Sequence, residues 1–72
     1  MFGSKRGKLD RLEKIVDLLE HNPGGLSQSE IAKRVSTERS TVHRDLAALE
    51  KRGVLLAEDD RGRVSLFRRL FG

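Results

Sequence analysis

The chain has 72 residues, enough for one small domain and too few for a deep catalytic cleft. Hydrophobic residues at 36% support a compact fold, charged residues reach 36%, and the net charge is +4. Cysteine, Trp and Tyr are absent and Phe occurs three times, which excludes disulfides and thiolate metal sites and argues against an aromatic platform for single-stranded bases.

The start, Met1-Phe2-Gly3-Ser4-Lys5-Arg6, has no apolar run after its charges, so no signal peptide is expected. No apolar stretch approaches the length of a membrane span. A cytoplasmic location is expected. Residues 1–7 read as a flexible basic arm and residues 8–70 as the folded domain.

Residues 8–21 read as a helix, because Leu9, Leu12, Ile15, Val16 and Leu19 follow the three-four spacing of a buried stripe. Asn22-Pro23-Gly24-Gly25 ends it. A second helix is expected from Gln28 to Val35. Ser27 is its N-cap, Glu30 completes a capping box, and Leu26 and Ile31 are spaced as a hydrophobic staple. Ile31, Ala32 and Val35 form its buried side. After a break at residues 36–38, a third helix spans Arg39 to Arg52 with Val42, Leu46 and Leu49 inward, and Gly53 stops it. Val54-Leu55-Leu56-Ala57 and Arg63-Val64-Ser65-Leu66-Phe67-Arg68 then read as a β-hairpin around the polar turn 58–62.

The order is helix, helix, short turn, helix, hairpin. That is an α+β, mainly helical, winged helix-turn-helix: three helices followed by a β-hairpin wing. Charge is divided unevenly over it. The first helix sets Arg11 and Lys14 against Asp10, Glu13, Asp17 and Glu20. Residues 33–52 set Lys33, Arg34, Arg39, Arg44, Lys51 and Arg52 against Glu38, Asp45 and Glu50. The middle of the chain is therefore offered to an anion.

The run 40–55, Ser-Thr-Val-His-Arg-Asp-Leu-Ala-Ala-Leu-Glu-Lys-Arg-Gly-Val-Leu, resembles the third helix and wing entry of DeoR-type winged-helix regulators. Leu26-Ser27-Gln28-Ser29-Glu30-Ile31-Ala32 resembles their second helix, and the likeness covers roughly residues 9–68. The resemblance implies sequence-specific binding of double-stranded DNA by a transcriptional regulator. Three departures stand out. Ser36 occupies the turn position where Gly is usual, and Glu38 replaces a Ser or Thr cap, leaving Thr37 as a substitute cap. The wing turn carries Glu58, Asp59 and Asp60. A sugar-phosphate-sensing domain of the kind carried by larger members does not fit in 72 residues.

With Val42, Leu46 and Leu49 inward and a helical advance of about 100° per residue, Ser40, Arg44, Ala47 and Lys51 fall opposite the core. Thr41 and Ala48 flank that face on one edge and His43 on the other. Ser40, Thr41, His43 and Arg44 are the candidate base-reading residues, with Arg44 leading. Arg39 and Lys51 suit phosphates, as do Arg61 and Arg63 on the wing. Asp45 is expected to brace a basic side chain or an amide. Lys5, Arg6 and Lys8 would add nonspecific phosphate attraction.

A homodimer on paired half-sites is a further expectation, with Phe67, Leu70 and Phe71 as candidate contacts. The alternative is a winged-helix protein-interaction module that does not bind DNA, favoured by the acidic wing turn and first helix. No nucleophile–base pair, metal-ligand cluster or Gly-rich phosphate loop is evident, so no enzyme activity, cofactor or small-molecule effector is expected.

Overall fold

A computed structural model describes the backbone of residues 4–69 and the side chains of residues 7–67. The elements in chain order are α1 (Ser4–His21), β1 (Leu26–Ser27), α2 (Gln28–Arg34), α3 (Arg39–Lys51), β2 (Val54–Glu58) and β3 (Arg63–Arg69). The winged helix-turn-helix expected from the sequence is the observed architecture.

Helix α1 starts at Ser4, not at residue 8, so residues 4–7 of the expected arm continue the helix. The single Gly7 costs about 1 kcal/mol there, which the helix-favouring Lys5, Arg6 and Lys8 offset in part. The C-terminal carbonyls find side-chain donors. Asn22 Nδ2 donates to the Leu18 carbonyl at 2.7 Å, and His21 Nδ1 lies 2.8 Å from that of Asp17. His21 thus closes the helix end, where a basic side chain suits the dipole.

Helix α2 carries the expected capping box. The Glu30 amide donates to Ser27 Oγ at 3.1 Å, and the Ser27 amide to Glu30 Oε1 at 3.4 Å. Its C-terminus closes with the Ser36 amide on the Lys33 carbonyl and the Thr37 amide on the Ala32 carbonyl. This is a Schellman closure, which requires a left-handed residue between the two helices. Ser36 is that residue, at φ 57°. The position where Gly is usual is therefore the one where a side chain is strained.

Thr37 does not cap α3. Glu38 is the N-cap residue, and no side chain accepts a hydrogen bond there. The first hydrogen bond of α3 runs from the Val42 amide to the Glu38 carbonyl, so Thr37 stands one residue before the cap position.

The hairpin forms as expected, and a third strand joins it. The sheet order is β1-β3-β2, all antiparallel, with Leu26 opposite Val64 and Ser27 opposite Arg63. A two-residue strand leaves no periodicity to read, and its partner lies far along the chain. Gly25, at φ 92°, lets the backbone enter β1 close against β3. Between β2 and β3 the register shifts at Leu55/Leu56, leaving Phe67 as an extra residue on β3. Phe67 is 71% exposed, whereas Val64 is buried and Leu66 half-buried.

The core joins Leu12, Ile15, Val16 and Leu19 of α1 with Leu26, Ile31, Ala32, Val42, Leu46, Leu49, Val54 and Val64. Leu9 departs from the expected stripe: it is 41% exposed. It lines a surface groove opposite Ala48 and Arg52, where the small alanine cannot cover it. Val35 is half-buried, because it caps α2 at the edge of the core.

Candidate nucleic-acid interface

Helix α3 is divided sharply by burial. Val42, Asp45, Leu46 and Leu49 are buried. Arg39, Ser40, His43, Arg44, Ala47, Glu50 and Lys51 are exposed, while Thr41 and Ala48 are half-buried. A face formed by Ser40, Arg44, Ala47 and Lys51 therefore points away from the domain, as the helical spacing requires. Thr41 and Ala48 turn toward the α1 side of that face, and Ala48 shares a groove with Lys8, Leu9, Leu12 and Arg52.

His43 turns the other way, toward the wing. It lines a groove between α3 and the sheet together with Gln28, Ala47, Glu50, Leu56 and Glu58. Two carboxylates thus stand on the wing side of the helix. Gln28, at the first position of α2, was not singled out in the sequence. Only the packing of α2 beside α3 brings it into the groove that His43 also lines, and no spacing rule within either helix reports that arrangement.

The wing turn is built by one of its acidic residues. Asp59 Oδ1 accepts from the Arg61 and Arg63 amides, each at 2.9 Å. The Asp59 amide donates to the Arg63 carbonyl at 3.0 Å, and Gly62 takes φ 80° to close the loop. The amide donors, chiefly that of Arg63, hold the Asp59 carboxyl below its ordinary value of 3.8. Its charge is partly committed to the turn. The side chains of Arg61 and Arg63 are exposed on either side of Gly62.

Asp45 is 1% exposed, the deepest charged side chain among the described residues. Arg11 of α1 reaches it side-on: Nε donates to Oδ2 and Nη2 to Oδ1, the latter at 3.1 Å. The Asp45 hydrogen bonds raise the Arg11 guanidinium above its ordinary value. The expected brace is present, and the partner stands 34 residues earlier in the chain. Sequence alone did not identify Arg11, because each basic residue of α1 looks alike until the helices pack.

Among the described residues no cluster of three or more His, Asp or Glu could hold a metal ion, and no helix is long and apolar enough to cross a membrane. Leu70 and Phe71, candidates for a dimer contact, lie outside the described residues.

Residues 8–60 match the model of the IclR helix-turn-helix domain. A curated relative, the HTH-type transcriptional regulator Rv1719 of Mycobacterium tuberculosis, is 46% identical over 52 residues, covering 72% of this chain. The match covers 20% of that relative, so the chain spans about a fifth of its length. Among solved structures, the chain is similar to the Zα domain from Carassius auratus PKZ, determined in complex with Z-DNA. The TM-score is 0.66 and the identity 29%, over 83% of this chain and 97% of that one.

Proposed function

The chain belongs to the IclR helix-turn-helix family, and from that premise we propose that it binds double-stranded DNA as the DNA-contacting part of a transcriptional regulator. The observation that carries this reading is the exposed face of α3, held by a fully buried stripe on its other side. A helix about 10–12 Å across fits a major groove about 12 Å wide. Arg44 reads a base edge, with Ser40, Thr41 and His43 beside it. Arg39 and Lys51 on α3, and Arg61 and Arg63 on the wing, contact phosphates. The matched family is the IclR type, and residues 40–55 resemble the DeoR type in the recognition helix and wing entry. Pairing of two copies on half-sites would supply further specificity, and exposed Phe67 is the described candidate for that contact. Occupying a DNA site needs no cofactor and no catalytic step, and a cytoplasmic location accords with that role.

A salt titration on a random-sequence duplex tests the reading. Four phosphate contacts predict a loss of about 150-fold in affinity between roughly 50 and 200 mM salt, whereas two contacts, with the wing disengaged, predict about 12-fold. The same measurement on B-form and Z-form duplexes bears on groove choice, since the structural neighbour was solved on Z-DNA. Major-groove reading predicts preference for the B form. No binding to any duplex at low salt would sink the proposal and leave a protein-interaction module.

A further inference from the structure

Arg11 lies on α1 among Asp10, Glu13, Asp17 and Glu20, outside the expected DNA face. Its side chain is nevertheless drawn inward, 27% exposed, to meet Asp45 with two parallel N–H donors. Asp45 directly follows Arg44, the proposed leading base reader. We infer that Arg11 is a positioning residue for DNA specificity: through Asp45 it fixes the rotation of α3 about its own axis, and so the direction in which Arg44 leaves the helix. The inference rests on the DNA-binding reading above.

Three considerations carry it. The first is directionality. Val42, Leu46 and Leu49 hold α3 on the core by apolar burial, which has no preferred angle. A side-on guanidinium–carboxylate pair does, because both of its hydrogen bonds must stay near one plane. The second is leverage. The surface of a helix lies roughly 5–6 Å from its axis, so a roll of about 20° moves a surface atom by ~2 Å. Polar recognition tolerates about 0.5 Å. The third is placement. α3 packs on α2 and β2 through apolar side chains, and the Arg11–Asp45 pair is its directional tie to α1. An apolar residue of similar size at position 45 would fill the site without charge burial, so packing alone does not require the carboxylate.

The test uses the duplex that the parent chain selects from a random library, and a scrambled duplex of equal length. The readouts are melting temperature, affinity for the scrambled duplex, and the ratio of selected to scrambled affinity. In the double variant Arg11→Met with Asp45→Val, the charge pair is replaced by apolar packing. Arg11→Lys keeps the charge and removes the planar fork. Both should bind the scrambled duplex within about twofold of the parent, since net charge is unchanged and the long, exposed Arg39 and Lys51 side chains can follow the phosphates through a small roll. The ratio should fall about tenfold in the double variant and about threefold in Arg11→Lys, a fraction of what a bidentate base contact supplies. A folded variant whose ratio stays within about twofold of the parent overturns the inference. If the double variant does not fold, Arg11→Lys decides by the same criterion. A parent that binds no duplex at low salt removes the DNA reading and this inference with it. A parent that binds while the variants keep their ratio removes this inference alone.

Discussion

Replacing Ser36 by Gly should stabilise the domain. Ser36 sits at φ 57°, where a Cβ crowds the following carbonyl and costs roughly 1–2 kcal/mol. Glycine removes that cost but adds about 0.5–1 kcal/mol of unfolded-chain entropy. The Schellman hydrogen bonds of Ser36 and Thr37 are backbone bonds and survive the change. The expected net gain is about 0.5–1 kcal/mol, or an increase of ~2–8 °C in melting temperature for a domain of this size. Thermal unfolding followed by circular dichroism measures it. Ser36→Val is the opposing control: a β-branched side chain should be worse than serine at this φ, and its melting temperature should drop. A Ser36→Gly protein that melts at or below the parent would refute the reasoning. It would mean that the serine side chain contributes more to the turn than its backbone strain costs.

Gly25→Ala should be damaging, because φ is 92° and the new Cβ would stand 3.1 Å from Arg63 Cβ and 3.2 Å from the Val64 carbonyl oxygen. A loss of about 2 kcal/mol is expected in a denaturant titration, and a loss below about 0.5 kcal/mol would contradict the close strand approach. Arg44→Ala should flatten base preference at one position of the selected duplex by about 5- to 150-fold. Lys51→Ala should instead weaken all duplexes alike and lower the salt slope by about one; an unchanged selection profile for Arg44→Ala would move the reading face elsewhere. Asp59 is expected to titrate below 3.8 by NMR, with the Arg61 and Arg63 amide signals following the same midpoint. The depressed carboxylate favours the folded wing above the unfolded value. That contribution is lost as pH falls through the lower folded value. A midpoint at or above 3.8 would show that the carboxylate is not held by those amides.

Much of the fold was legible in local chemistry. The Ser27–Glu30 capping box, the stop at Gly53 and the stripe Val42, Leu46 and Leu49 each act over one helical turn, so sequence spacing reports them directly. The candidate reading face followed for the same reason: once the buried stripe is known, helical geometry assigns Ser40, Arg44, Ala47 and Lys51 to the opposite side. Where the reading departed from the structure, a non-local partner was responsible. Leu9 has the right period and still faces solvent, because Ala48 opposite it is too small. Thr37 has the right side chain for a cap and still does not cap, because the closure of α2 sets the start of α3 one residue later, at Glu38.

The amino-acid sequence by itself determined the order of the three helices and the hairpin, and which side of α3 turns inward. These follow from hydrogen bonds and side-chain spacings that repeat within a few residues. The tertiary structure alone decided that Leu26-Ser27 is a third strand, that Gln28 and His43 line one groove, and that Arg11 is the partner of Asp45. Each of those joins segments whose separation along the chain carries no periodic signal. Such contacts exist only because burying one common apolar core brings the segments together.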